Sequence, residues 1–169
     1  MNINYFINRH GLKPADAIVA QKLQLGLLKH YIIYLGYIEG EHRFMANYTR
    51  GIELISHFEL SRLLGIYGPT GINRFRGNEF QREQALDRAW SRKGEQEYNL
   101  IINNCEHYMN FVHHGKAKSD QVNDFGTGLA LTGAAIAAGS AINKNENAAI
   151  GGLVLAGLGL LTLFMENDN

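Results

Sequence analysis

Along this chain the apolar positions change their spacing several times, and each change marks an element. "DAIVAQK" (16–22) and "KHYIIYLGYIEG" (29–40) concentrate Val, Ile and Tyr and predict strands, with Gly36 and Gly40 punctuating the end of the second. "ELISHF" (53–58) predicts a third strand, and the "ELSRLLG" that follows predicts a short helix closed by Gly65. "IYGPTGINRFRG" carries two turn signals and predicts an exposed loop. From Asn78 the period becomes helical: Phe80, Ala85, Ala89 and Trp90 recur near helical spacing between an N-cap-like Asn78 and a terminating Gly94. "EYNLII" (97–102) predicts a short strand, and a helix from Asn103 or Asn104 to Gly115 carries Tyr108, Phe111 and Val112 on one face. The pattern is α+β, a small antiparallel sheet with helices.

Near residue 125 the pattern changes again. "GTGLALTGAAIAAGSAI" (126–142) and "AAIGGLVLAGLGLLTLFM" (148–165) contain no charge and are separated by "NKNEN". About 17–25 apolar residues cross a hydrocarbon core of about 30 Å, so the second run is long enough, while the first is short and rich in Gly and Ala. "GLALTG" and "GLVLAG" hold glycines five apart, opening at Gly128 and Gly152, which is not the four-residue small-residue spacing of paired membrane helices. These runs predict a helical hairpin in or on a membrane; the alternative is a hairpin buried against the domain or in an oligomer core. Residues 1–122 are expected to form the folded domain and 123–169 the hairpin.

Composition narrows the functional classes. At 169 residues the chain has room for one core and an appended segment. Lys+Arg and Asp+Glu are equal at 16 each, and no basic stripe with interleaved aromatics occurs, so nucleic acid is not an expected partner. One cysteine cannot form an internal disulfide, and "MNINYFINRHGLKP" lacks the charged start and apolar core of a secretory leader. The catalytic part is therefore expected to face the reducing, cytoplasmic side of a membrane.

The lone thiol, Cys105, falls where strand gives way to helix. The unpaired N–H groups of a helix start stabilise thiolate, which favours a nucleophile. Such a nucleophile needs an imidazole base and a group that orients the imidazole. His107 lies two residues on and His113 and His114 two turns on, so the base is expected from elsewhere. His30 opens an apolar strand and His42 follows the turn "IEGEH"; if 30–37 pairs with 42–48, the two imidazoles are expected to face each other as a relay. A metal site from His30, His42, Cys105 and His107 is the rival reading, weakened by the Cys-x-His spacing. Glu106 suits a first helical turn and otherwise reads as solvated, Asn103 or Asn104 as the cap, Tyr34 and Tyr98 as core aromatics, and Arg74, Arg76 and Arg82 as a solvated loop face.

Together "KPAD" (13–16), "HYIIYLG" (30–36), His42 twelve residues after His30, "YNLIINNCEHY" (98–108) and "SDQV" (119–122) resemble the lecithin:retinol acyltransferase-like family, a permuted branch of the papain-like (NlpC-type) superfamily. The resemblance covers about residues 13–122. It implies a permuted papain-like core, Cys105 as nucleophile, His30 as base and His42 as the orienting third member. It further implies acyl hydrolysis or transfer on phospholipid or other acyl esters through a thioester, with no cofactor, and a C-terminal membrane segment. The sequence departs from the usual pattern at Tyr31 and Tyr108, at "KPAD" in place of Pro-Gly-Asp, and in having two apolar tail runs, which points away from a retinoid and leaves the acyl donor open. Peptide or amide hydrolysis and a catalytically silent membrane-bound module are the alternatives.

Overall fold

The computed structural model describes residues 2–21, 29–96, 104–116, 120–142 and 146–167. It divides into two units, one holding the described residues up to 116 and the other the described residues from 120 on. The first is α+β. Five strands, β1 (Ala17–Gln21), β2 (Lys29–Ile38), β3 (Glu41–Tyr48), β4 (Gly51–Ile55) and β5 (Gly68–Asn73), form one sheet in the order β4-β3-β2-β1-β5, every neighbour antiparallel.

Alternation along the strands divides the core into two layers. Ala17, Tyr31, Ile33, Leu35, Met45 and Ile52 face α3 (Glu79–Ser91) and α4 (Cys105–His114), where they meet Ala85, Ala89, Cys105, Tyr108, Met109 and Val112. Ile18, Ala20, Ile32, Tyr34, Phe44 and Ala46 face α1 (Ile3–His10) and α2 (His57–Ile66), meeting Phe6, Ile7, Leu60 and Leu64. A one-residue slip would transfer a strand's whole apolar set between the layers, so the alternation fixes the register.

Several expectations need correction. Ile3–His10, where no element was expected, form a helix: Asn2 caps it by accepting a hydrogen bond from the Tyr5 N–H, Ile3, Phe6 and Ile7 are buried, and Gly11 ends the helix in the left-handed region. The third strand stops at Ile55, because Ser56 and Glu59 form a capping box that starts α2 at His57. Part of the expected loop, Gly68–Asn73, is edge strand β5; Pro69 is tolerated there because the sheet ends and the β1–β5 register shifts at Val19/Ala20. On α3 it is Arg82, Ala85 and Ala89 that are buried, while Phe80 and Trp90 are exposed. The strand expected over 97–102 lies outside the described residues.

The β2–β3 hairpin also corrects the expected facing of the imidazoles. Ile38 pairs with Glu41 across a two-residue turn whose central residues, Glu39 and Gly40, have φ of 50° and 84°, the left-handed geometry that tight hairpins require. That turn sets Tyr37 opposite His42, whereas His30 pairs with Ala20 on β1. Tyr37 and His30 stand seven residues apart on β2, about 23 Å of strand.

Asp16 of the "KPAD" stretch anchors the α3/α4 side. Its buried carboxylate accepts from the backbone N–H groups of Lys13 (3.1 Å) and Phe75 (3.1 Å), and pairs with Arg74 (2.7 Å) and Arg82 (3.5 Å). Arg82 is thus a buried ion-pair partner and not part of a solvated face, whereas Arg74 is exposed and pairs with Asp16 from the surface. Where the family pattern has glycine, Ala15 adopts φ 69°, held by its N–H donating to the Tyr34 carbonyl (2.7 Å) and its carbonyl accepting from His113 Nε2 (2.8 Å).

The second unit consists of α5 (Asp120–Ile142) and α6 (Glu146–Asn167), packed on each other. Within α6, the 19 residues Asn147–Met165 are long and apolar enough to cross a membrane.

Candidate active site

The "NNCEH" stretch is a helix start. Asn104 is the N-cap of α4, its side-chain oxygen accepting from the Glu106 N–H (2.9 Å) and the His107 N–H (3.0 Å), while His107 Nδ1 accepts from the Asn104 N–H (3.4 Å). Cys105 is therefore the first helical residue, at the positive end of the helix. At the other end Gly115 closes the helix in the left-handed region, and the Arg88 guanidinium donates twice to the Val112 carbonyl (2.9 and 2.7 Å). Tyr108 is fully buried and donates to the Ala89 carbonyl (3.0 Å), locking α4 to α3.

The thiol faces β2. Cys105 Sγ donates to the Lys29 carbonyl (3.1 Å), and the sulfur is buried among the α3/α4-side side chains. That burial pushes the thiol up to about 11, outweighing the hydrogen bond from Tyr31 that favours thiolate. Beside it, Glu106 is buried and accepts from the Tyr31 hydroxyl (3.3 Å); this carboxylate is a strap between α4 and β2, not a solvated acid.

His30 follows Lys29, whose carbonyl accepts the thiol hydrogen bond, but its ring belongs to the other layer. It stands opposite Ala20, and its ring packs edge-on against Tyr67 with centroids 4.7 Å apart. Burial lowers its pKa, so the imidazole is neutral at neutral pH, the form a base requires. His42 lies at the hairpin tip, Nδ1 within 2.7 Å of the Tyr34 hydroxyl, on the wall of a cavity of about 580 Å³ that also exposes Glu41, His57 and Ser61. Burial, and then His57, lowers the His42 pKa. The structure thus brings the backbone beside His30 to Cys105 and leaves His42 at the opposite end of the hairpin. Among the described residues no group of three or more His, Cys, Asp or Glu side chains is arranged to hold a metal.

One residue at the site escaped the sequence reading. Asn47 is almost fully buried in β3, on the face of Met45 and Ile52, and its amide donates to the Asn104 carbonyl (3.4 Å). It ties the cap of the thiol helix to the sheet. The signal was present: Asn47 is two residues from Met45 and so shares its face of the strand.

None of the curated proteins compared matches this chain. A capped thiol at a helix start, held over an antiparallel sheet behind a "KPAD" anchor, accords with the remaining comparison. The family model described as lecithin retinol acyltransferase matches residues 10–118, more than half of the chain, and the chain belongs to that acyltransferase-type family.

Proposed function

We propose that this protein is a membrane-associated, cysteine-dependent lipid acyl hydrolase or acyltransferase that works through a thioester on Cys105. The observation that supports this reading best is the position of the sulfur: first in a capped helix and against the β2 backbone one residue from His30, in a chain of this family.

The described arrangement is the resting one, with a neutral thiol bonded to the Lys29 carbonyl. Lys29 and His30 open β2, where they pair with Gln21 and Ala20 of β1. Engagement is a turn of this strand end that takes the His30 ring off Tyr67 and delivers it to the sulfur. His30 then removes the thiol proton as Sγ attacks the ester carbonyl carbon. The resulting oxyanion is received by the Cys105 backbone N–H at the positive end of α4. Collapse breaks the acyl carbon–oxygen bond, and the leaving alcohol takes the proton from His30. Water, or an amine or alcohol acceptor, next attacks the thioester and gives its proton to His30, which returns it to the departing sulfur. His42 has no step here, because the hairpin tip is remote from the thiol. Asn47 serves by fixing the Asn104 cap.

The hairpin supports the membrane part of the proposal, since an anchored enzyme meets lipid esters in two dimensions with its thiol on the reducing, cytoplasmic side. One observation favours a second reading, a catalytically silent membrane-bound module: the thiol is buried and the His30 ring lies in the other layer. Fatty-acid release from phospholipid vesicles separates the two. The parent chain is expected to release fatty acid and Cys105→Ser is expected to release none. Release by neither supports the silent module, and release by both at one rate places the nucleophile elsewhere.

A further inference from the structure

The two helices of the second unit are matched residue by residue in a way that bears on how they meet a bilayer. Their contact is a seam of small residues in which Gly126, Ala130, Gly133 and Ala137 of α5 run antiparallel to Leu163, Gly159, Ala156 and Gly152 of α6. The backbones touch: a Cβ added at Gly133 would lie 2.3 Å from the Ala156 nitrogen, and one at Gly159 would lie 2.4 Å from the Ala130 nitrogen. The interface glycines stand seven apart on each helix, a spacing that keeps one face toward the partner; Gly128, which opens the five-residue spacing, meets nothing.

This register levels the apolar stretches. Gly133 beside Ala156 and Ala137 beside Gly152 make Ile142 level with Asn147, and Asp124 level with Met165 and next to Glu166. Between those ends neither helix carries a charge. The α6 stretch of 19 residues rises about 28 Å at about 1.5 Å per residue, close to the hydrocarbon thickness of about 30 Å. Its outer side is lined with exposed Ile150, Leu153, Leu158, Leu161 and Phe164, and that of α5 with Leu131 and Ile136. A helix lying in the membrane plane needs a strongly polar face, and α5 has no charged residue after Asp124 to make one. Alone, α5 is too poor in large apolar side chains to cross; its Gly/Ala face is covered by α6, which leaves the larger side chains for lipid.

We propose that α5 and α6 cross the bilayer together as one pre-packed antiparallel pair, so that Glu146 emerges on the face opposite the catalytic unit and Asn167 returns to the catalytic side. This rests on the membrane association proposed above and adds the two-pass topology, in contrast to a single anchor formed by α6.

The test uses the full-length chain with its native thiol removed by Cys105→Ser. One new cysteine is placed at a time: Arg50→Cys in the exposed β3–β4 turn, Glu146→Cys at the start of α6, or Asn167→Cys at its end. Each variant is incorporated in sealed vesicles and treated with a membrane-impermeant maleimide before and after permeabilisation, alongside alkaline carbonate extraction. The expected result is that all three stay in the carbonate pellet, that Arg50→Cys and Asn167→Cys label from one side, and that Glu146→Cys labels only from the other. Glu146→Cys labelling with Arg50→Cys, whether Asn167→Cys joins them or labels alone from the far side, overturns the two-pass topology and leaves membrane association standing. Release of the protein by carbonate overturns both.

Discussion

Replacing His30 with alanine is expected to slow acyl-enzyme formation by about 10²- to 10⁴-fold, the usual contribution of a positioned base, while the fold survives. In the resting arrangement the sulfur is surrounded by apolar side chains and its proton is held by the Lys29 carbonyl, with the thiol pushed up to about 11. At neutral pH almost none of it is thiolate, so attack depends on a base that removes the proton as the bond forms. Burial keeps His30 neutral and lowers its pKa, so the rate should fall on acidification with a midpoint below the ordinary imidazole range. His42→Ala should leave the rate near that of the parent, because that ring is bonded to the Tyr34 hydroxyl at the far end of the hairpin. Single-turnover measurements on both variants check the assignment. Equal losses would mean that the hairpin tip and the thiol act together, against the register described here.

The second large effect concerns stability. Asp16→Ala is expected to destabilise the first unit by about 3–5 kcal/mol, the cost of removing one partner of a buried ion pair. The carboxylate is 2% exposed, and its loss deprives the buried Arg82 guanidinium and Phe75 N–H of their partner and removes the Lys13 N–H contact. The lone tryptophan, Trp90, lies in α3 of the same unit, so its fluorescence during urea unfolding reports on this unit. The midpoint should drop without a change in slope. A loss below about 1 kcal/mol would place Asp16 with exposed pairs of little value.

How far the sequence was legible follows from what each element depends on. The helix at Cys105 was readable because its start is local chemistry: Asn104 caps, Cys105 is first, and Gly115 ends it. Strands β1 and β2 were readable because both faces are buried and rich in β-branched and aromatic residues. β5 was not, since Pro69 and Gly71 signal a turn in isolation and only the place beside β1 makes them an edge strand. The N-terminal helix had its signal in Ile3, Phe6 and Ile7, at helical spacing behind Asn2. Arg82 and Glu106 looked solvated by residue type, and their burial depends on Asp16 and Tyr31, 66 and 75 positions away in the chain. The placement of the histidines turned on a single turn: Glu39–Gly40 fixes which residue faces His42, and apolar periodicity carries no information about that choice.

If the lone thiol carries the acyl group, the intact mass of the full-length chain after incubation with mixed phospholipids should rise by one acyl chain. The increase is expected to be lost on hydroxylamine treatment, as a thioester requires, and to be absent from Cys105→Ser. An adduct that persists in Cys105→Ser, or fatty-acid release by a parent chain that never gains mass under rapid acid quench, would contradict that role of the thiol.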